Sequence, residues 1–340
     1  MTIKDIAALA GVSKATVSRV LNNAENVDEN TRQHVLKIMK ENNYVPSAMA
    51  RRLKKENNVI GLIVPEVDDS FFGKIVHGIN DILKKTEYTI LLCCTDNNPK
   101  DELRALGVLR QQRVSGLFLT TSSDFSSKKE AVKIENAVKD LNVPVVLIDR
   151  VFPNTSWNGV YSDNTFGAYS ATCALIEHGF KKIGAIFSDI KLPLGQERLK
   201  GFKTALTEHD LPVNENYIYT DDFSLSSQQV YSYTCQMIAE NRLPEAVFLS
   251  NCIITNGFFK AILEHDIKPG IDIHCIGFDY SEILDVVNIP YSYLERNLKL
   301  IGQTAAELLL EQLSSGPSPV RKALTVPAAL RIDSKLMKHH

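Results

Sequence analysis

Residues 2–22 read TIKDIAALAGVSKATVSRVLN, and this stretch decides how the amino-terminal part of the chain folds. Apolar residues recur at helical spacing on both sides of Gly11, which indicates one short helix over 3–10 and a second over 14–22. Gly11 can adopt the left-handed backbone that ends a helix, and Ser13 can cap the next one. Two helices joined by a three-residue turn that contains glycine are typical of a helix-turn-helix. We expect them to pack together through Ile6, Leu9, Val17, Val20 and Leu21.

The segment after this pair predicts a third helix and then a linker. Apolar side chains in residues 29–42 recur on one helical face, through Val35, Ile38 and Met39. Residues 46–55, PSAMARRLKK, begin with a proline that suits the first turn of a helix. Because isolated helices of this length are marginal in water, we expect a hinge that becomes helical only when a partner stabilises it.

From Val59 onward, short apolar strands alternate with amphipathic helices in two successive sets. Unbroken apolar strands separated by helices are typical of parallel sheets covered on both faces, and so many units predict two lobes. Ligands bind at the carboxyl ends of such strands. Polar residues collect at the predicted strand ends, and they are Asp68, Asp69, Asp96, Thr121, Asp149, Arg150, Asp163, Asn164, Asp189, Asp221, Asp222, Asn251, Asp279 and Arg296.

Length, charge and cysteine usage narrow the class of protein. A chain of 340 residues is long enough for two or three folding units. Residues 1–58 carry ten Lys and Arg against six Asp and Glu, whereas the remainder carries 28 against 34, so only the first part suits a polyanionic partner. No apolar run is long enough for a membrane span, and the N-terminus lacks the pattern of a secretory signal. Six scattered cysteines without a CxxC pair indicate reduced thiols in a cytoplasmic protein.

These features together resemble the lactose-repressor (LacI/GalR) family of transcriptional regulators over essentially the whole chain. The stretches that carry the resemblance are 2–22, YVPSAMARRLKK at 44–55, LGQERLKGF at 194–202, IGFDY at 276–280 and LTVPAALRIDS at 324–334. The resemblance implies an N-terminal all-α helix-turn-helix domain. It also implies an α/β two-lobed sensor with parallel sheets and Rossmann-like lobes, similar to periplasmic binding proteins.

Domain boundaries follow from the same resemblance. We expect a helix-turn-helix domain, a hinge and an effector-binding and dimerisation domain over 1–45, 46–58 and 59–340. The first lobe is expected to comprise 59–160 and 291–318, and the second lobe 161–290 and 319–340. Three crossings between the lobes are expected near Gly159, Pro290 and Ser318.

In the family that this chain resembles, the second helix of the N-terminal domain reads base edges in the major groove. The resemblance places Lys14 and Ala15 at the family's two specificity positions and Arg19 at its base-reading arginine, which can make a bidentate contact to guanine. The residues expected to position phosphates are Thr2, Thr16, Ser18 and Asn22. In the hinge, Leu53 is expected to wedge into the minor groove, while Ala48 and Ala50 let two hinge helices pack closely. Because one module makes few contacts, we expect a homodimer on a pseudo-palindromic double-stranded DNA operator.

Effector-binding residues are carried over from the family motif by motif. Arg198 and Asp279 fall on effector contacts of the family, and the further candidates are Phe72, Asp149 and Asn251. A carboxylate can accept hydrogen bonds from the vicinal hydroxyls of a sugar. A guanidinium can donate a fork of hydrogen bonds to hydroxyls or to a carboxylate.

Two positions depart from the pattern of the family and change the rim of the expected cleft. Cys252 stands where the family often has aspartate, and Arg296-Asn297 stands where it commonly has Gln-Pro. With Arg150, Arg198 and Arg296 near one another, an acidic sugar such as a sugar acid or a sugar phosphate is a candidate effector.

The sequence therefore predicts a cytoplasmic repressor of a carbohydrate transport or catabolic operon, controlled by a small sugar or sugar derivative bound between two lobes. One alternative is a transporter-type solute-binding protein, and another is a corepressor-dependent regulator with a non-sugar effector such as a nucleobase. Because no phosphate-loop, zinc-protease or nucleophile-elbow motif occurs, we expect no enzyme activity, no cofactor and no metal site. The sequence leaves open whether the effector releases DNA or promotes its binding.

Overall fold

The computed structural model describes residues 3–21, 24, 27–42, 58–67, 70–123, 125–222, 224–316 and 320–333. The chain divides into two compact units, Met1–Asn57 and Asn58–His340. Apart from Asn58, the predicted hinge at 46–58 lies outside the described residues.

The first unit contains the three predicted helices, α1 (Ile3–Leu9), α2 (Lys14–Leu21) and α3 (Glu29–Glu41). Gly11 has a φ of +61°, and the backbone N–H of Thr16 donates to Oγ of Ser13 at 3.1 Å, which confirms the predicted turn and cap. The buried apolar side chains of this unit are Ile6, Ala7, Ala10, Val17, Val20, Val35 and Met39.

The prediction that Leu9 packs between the first two helices is wrong. Its side chain is 54% exposed, whereas the small side chains of Ala7 and Ala10 are buried. Alanine at these two positions lets α2 approach α1 closely, so no space is left for a larger residue between them. Periodicity alone assigned Leu9 to the wrong side of a seven-residue helix.

The first lobe of the second unit is built on a six-stranded parallel sheet. Its strands are β1 (Val59–Val64), β2 (Thr89–Cys94), β3 (Gly116–Leu119), β4 (Val145–Ile148), β5 (Asn158–Ser162) and β11 (Ala323–Val326), in the order β11-β5-β4-β3-β1-β2. The helices of this lobe are α4 (Ser70–Leu83), α5 (Pro99–Gln112), α6 (Lys128–Lys139) and α12 (Leu298–Ser315).

Two glycines let α4 and α12 pack at close range. A Cβ atom at Gly78 would lie 2.2 Å from the carbonyl oxygen of Lys299, and one at Gly302 would lie 2.1 Å from that of Ile75. The helix pair covers one face of the sheet and buries Ile75, Ile79 and Ile301 against it.

The second lobe repeats the architecture of the first. Its strands are β6 (Ile183–Phe187), β7 (Ile218–Thr220), β8 (Ala246–Leu249), β9 (His274–Gly277), β10 (Ser292–Arg296) and β12 (Ala328–Arg331), in the order β12-β10-β9-β8-β6-β7. Only the β10–β12 pair is antiparallel among the described strands. Its helices are α7 (Asn164–Glu177), α8 (Pro193–Glu208), α9 (Ser227–Ala239), α10 (Cys252–Glu264) and α11 (Glu282–Val286), and a short 3-10 helix spans Glu215–Tyr217.

All three crossings between the lobes lie further along the chain than predicted. The first follows Ser162 rather than Gly159, since β5 pairs with β4 and β11 as far as its end. Strand β10 pairs with β9 in the second lobe and β11 pairs with β5 in the first. The other two crossings therefore follow Arg296 and Val326, not Pro290 and Ser318. The chain crosses where strand hydrogen bonding ends, whereas the resemblance to the family located these points only to within several residues.

Three further observations bear on the class of protein. No helix in the described ranges is long and apolar enough to cross a bilayer. Over the same ranges, no group of three or more His, Cys, Asp or Glu side chains could hold a metal ion. The six cysteines all lie in the described ranges and form no disulfide bond there.

Candidate DNA-reading helix and interlobe cleft

Helix α2 presents a polar face to the outside of the first unit. Val17 and Val20 are buried on its inner face, and the side chains of Lys14, Ala15 and Arg19 are exposed. For Ala15 and Arg19 this follows from the helical period, since they lie on the side of the helix opposite Val17, and Lys14 is the first residue of the helix. The predicted base-reading residues thus form one accessible surface.

The predicted phosphate contacts fall into two groups. Thr16 and Ser18 are half-buried, and Oγ1 of Thr16 lies 2.9 Å from Oγ of Ser13, which ties it to the helix cap. The other predicted DNA contacts lie outside the described residues, and they are Thr2, Asn22, Ala48, Ala50 and Leu53.

Two cavities lie between the lobes at the carboxyl ends of the strands. The larger, of about 870 Å³, is lined from the first lobe by Phe71, Lys74 and Leu298, and from the second by Asp279 and Arg296. The smaller has a volume of about 240 Å³, and its lining includes Asp149, Arg150, Ser162, Asn164 and Glu197. Among the strand-end polar residues, the structure thus gathers Asp149, Arg150, Asp163, Asn164, Asp279 and Arg296 at the cleft.

Arg296 joins the two lobes at the centre of this cleft. Its side chain is only 5% exposed, and its Nε and Nη2 donate to Oδ1 of Asp279 at 2.7 and 2.5 Å. Nη1 lies 3.4 Å from Oδ1 of Asp149 in the other lobe. The guanidinium carbon lies 4.4 Å from the ring centroid of Phe71 and 5.3 Å from that of Phe278. Because Arg296 lines one cavity and Asp149 the other, their ion pair separates the two.

Arg198 lies beneath the cleft, where all its recorded hydrogen-bond partners are neutral. Its Nε donates to Oδ1 of Asn164 at 2.9 Å and its Nη1 to the carbonyl oxygen of Ser250 at 2.7 Å. Its guanidinium carbon lies 4.0 Å from the centroid of the Phe278 ring. Burial, assisted by the charge of Arg296, lowers the pKa of Arg198 to about 10, so it remains a cation at neutral pH. It lines neither cavity.

Asp149 and Arg150 follow β4 with an unusual backbone. Asp149 has a φ of +62°, a conformation that non-glycine residues rarely adopt, and such residues cluster at functional sites. Arg150 then turns into the first lobe, where Nη1 donates to Oδ1 of Asn97 at 2.8 Å and to the carbonyl oxygen of Thr121 at 3.0 Å. Its Nε has no hydrogen-bond partner in the part of the chain that the structure describes.

Glu102, in the first turn of α5, is a buried carboxyl that sequence reasoning missed. It accepts hydrogen bonds from Ser122 N at 2.6 Å and from Thr121 Oγ1 at 3.2 Å. Burial raises its pKa to about 7, although these hydrogen bonds and the charge of Arg150 act in the opposite direction. An acidic residue in a first helical turn is ordinarily a solvated one, so the sequence carried no signal for this burial.

Asn251 caps the start of α10 and lines neither of the two cavities. Its Oδ1 accepts from the backbone N–H of Ile254 at 2.8 Å, which caps α10, and its Nδ2 donates to Oγ of Ser188 at 3.0 Å. Ser188 in turn donates to Oδ2 of Asp189 at 2.8 Å.

The aromatic residue at the cleft is Phe71, not the predicted Phe72. Phe72 is 4% exposed and packs in the core of the first lobe, so it is not available to an effector. Phe71 lines the larger cavity and packs edge-on against Phe72 with ring centroids 4.8 Å apart. Since successive residues at the start of a helix point about 100° apart, only one of the two rings can face the cleft. Trp157 packs against Phe152, with ring centroids 5.2 Å apart.

Comparison with known proteins gives the family. Residues 2–47 match the family described as bacterial regulatory proteins, lacI family, and residues 172–332 match a periplasmic binding protein-like domain. The ribose operon repressor of Haemophilus influenzae is 30% identical over 334 residues, which is 98% of each chain. This chain belongs to the LacI family of bacterial regulatory proteins.

Two further comparisons agree with this assignment over nearly the full length of the chain. An HTH-type transcriptional repressor PurR of Histophilus somni is 33% identical over 315 residues, 92% of each chain. A crystal structure of the Lac repressor dimer, bound to operator and the anti-inducer ONPF, superposes with a TM-score of 0.83 and 25% identity over 99% of each chain. The predicted family, its fold class and its class of function, a transcriptional regulator, are thereby confirmed. The individual site residues stay predictions.

Proposed function

We propose that this LacI-family protein is a sequence-specific repressor of a carbohydrate transport or catabolic operon, controlled by a sugar or sugar derivative bound between its lobes. The observation that carries the proposal is the convergence of two carboxylates, one from each lobe, on the point that Arg296 occupies. Carboxylates placed this way can accept hydrogen bonds from hydroxyls on opposite sides of one small polyol. The similarity to a ribose operon repressor supports the same class of ligand.

The DNA-binding half of the proposal rests on the exposed face of α2. Lys14 and Arg19 bring positive charge to this face, and Arg19 can pair with O6 and N7 of a guanine. Ala15 offers only a methyl group, which suits contact with a thymine methyl. Two copies of the chain then read the two halves of a pseudo-palindromic operator. The Lac repressor, to which this chain is similar, is also a dimer when bound to operator.

Control follows from linkage between the cleft and the DNA-binding unit. An effector that contacts Asp149 in one lobe and Asp279 in the other has different affinities for open and closed arrangements of the lobes. The difference between these two binding free energies sets how far the effector can shift the equilibrium between the DNA-binding and the DNA-releasing states. The protein acts in this proposal as a cytoplasmic binding protein and regulator, not as an enzyme.

The test has two stages. First, an operator is selected from random duplexes, and its affinity is measured by fluorescence anisotropy for the wild type and for Arg19→Ala. Second, sugars are screened by thermal shift, where a ligand at 100 times its Kd stabilises the native state by about 2.7 kcal/mol. Each hit is then added to the operator complex, which also gives the sign of the response. If the wild type binds the selected duplex no better than a random one, the repressor proposal is wrong.

A flat heterocycle such as a nucleobase is the second candidate effector. The geometry that favours it is the position of two rings beside the planar guanidinium of Arg296, whose carbon lies 4.4 Å from the centroid of Phe71 and 5.3 Å from that of Phe278. A planar heterocycle in place of that guanidinium could pack against Phe71, which lines the larger cavity. Purine nucleobases therefore belong in the same thermal-shift screen, and stabilisation by them but by no sugar would favour a corepressor-type regulator.

A further inference from the structure

The position of Arg296 in the chain gives it access to both lobes. It is the last residue of β10, and the chain crosses from the second lobe to the first directly after it. Its guanidinium is held by two carboxylates and two aromatic rings, with one of each from either lobe. Carboxylates and aromatic rings are also the groups by which a protein can bind a small polyol. The side chain of Arg296 therefore competes with such a ligand for the same groups.

The cations and carboxylates at the cleft centre do not pair evenly. Arg296 uses both Asp149 and Asp279, while Arg198 is fully buried and has no carboxylate within ion-pair distance in the described chain. Leaving a buried charge without a counter-charge is costly, because the protein interior solvates it poorly. Arg198 is stabilised only at longer range, by Asp279, Asp149 and Asp189, so two of these carboxylates serve both guanidinium groups.

We propose that Arg296 is the specificity-determining residue of the cleft: it holds Asp149 and Asp279 itself, and it yields them to the hydroxyls of an effector whose anionic group, a carboxylate or a phosphate, becomes its new partner. This inference rests on the proposed function, since it names the class of effector that the same cleft binds. A neutral sugar would have to share the two carboxylates with Arg296 and would bring no counter-charge of its own. An acidic sugar brings a new anionic partner for Arg296 in the same step.

The first arm of the test compares sugars that differ in one anionic group. Matched pairs are glucose with glucuronate, galactose with galacturonate, and ribose with ribose 5-phosphate, each titrated by calorimetry into the full-length protein. We expect the acidic member of at least one pair to bind about 10- to 100-fold more tightly, as expected for a charge-assisted hydrogen bond. In Arg296→Gln this preference should fall to about threefold or less, since the amide cannot neutralise an anion.

The second arm measures the interlobe contact itself and needs no ligand. Hydrogen–deuterium exchange is followed in peptides that span residues 145–152 and 276–285. If Arg296 ties the lobes together, these peptides should exchange faster in Arg296→Gln than in the wild type. The matched control is Arg110→Gln, which removes an exposed arginine that lies 3.5 Å from Asp140 on the first lobe and should change neither arm. Circular dichroism checks that each variant is folded.

The outcomes separate the two claims. If a neutral sugar binds more tightly than its acidic partner and controls operator binding, the role given to Arg296 is wrong while the repressor proposal stands. If Arg296→Gln weakens both members of a pair equally, or leaves exchange at both peptides unchanged, the role is also wrong. If no sugar of either kind binds, the sugar-sensing function itself fails and the effector class proposed for Arg296 fails with it.

Discussion

The buried carboxyl of Glu102 should make the stability of the first lobe fall as the pH rises. Its pKa lies near 4.5 in the unfolded chain and is raised to about 7 in the native state by burial. Between these values the native state binds a proton that the unfolded state has lost, so unfolding becomes easier with each pH unit. The stabilisation is complete below pH 4.5 and is lost by the time the pH passes 7. A shift of this size corresponds to about 3 kcal/mol, to order of magnitude.

The substitution Glu102→Gln isolates this effect, because the amide keeps an acceptor for Ser122 N and Thr121 Oγ1 but does not ionise. The difference in unfolding free energy, wild type minus variant, should decrease by about 3 kcal/mol from pH 4.5 to pH 8 and then stay level. Urea denaturation can follow this lobe alone, since the single tryptophan of the chain, Trp157, packs in the hydrophobic cluster beside α5. The control is Glu87→Gln, at an exposed position. A difference that stays constant across this range, or one that grows with pH, would refute the reasoning.

Three further predictions concern DNA binding, helix packing and helix capping. Arg19→Ala should weaken operator binding by about 1–3 kcal/mol and relax the preference for guanine at one position, which anisotropy with single-base operator variants can measure. Gly78→Ala should destabilise the protein by about 1–3 kcal/mol, because its Cβ would lie 2.2 Å from a backbone oxygen of α12. Gly73→Ala, on an open position of the same helix, should be neutral or stabilise by up to about 1 kcal/mol in the same denaturation series. Ser226→Ala should cost about 1 kcal/mol through loss of the capping box with Gln229, and an unchanged midpoint would contradict that role.

The elements were predictable because each is specified locally. Helices α1 to α3 came from a 3.6-residue apolar period together with Gly11 and Ser13, and both lobes came from unbroken apolar strands between helices. The lobe crossings were misplaced because hydrogen bonding between distant strands decides them. Val326 stays in the first sheet only because it pairs with Ser162, a partner more than 160 positions earlier in the chain.

Some of the candidate site residues could be predicted, because the carboxyl ends of parallel strands meet at one edge of a sheet. Asp149 and Asp279 follow apolar strands and Arg296 is the last residue of one strand, and the structure brings the three into contact. Sequence could not show which of two adjacent phenylalanines faces the cleft, since that depends on the rotation of α4 against its sheet. It also could not show that Arg198 has neutral partners, because these come from a helix start and a strand end far away in the chain.

Each of the three crossings is made by a single residue between two regular elements: Asp163, Asn297 and Pro327. Asp163 and Asn297 each cap the helix that follows, and Pro327 has a fixed φ. The backbone of each crossing is therefore restrained. Because three short tethers of this kind limit how far one lobe can slide over the other, rotation at the tethers is the displacement that they restrict least. We therefore expect ligands of different shapes to close the two lobes by the same rotation at these three residues.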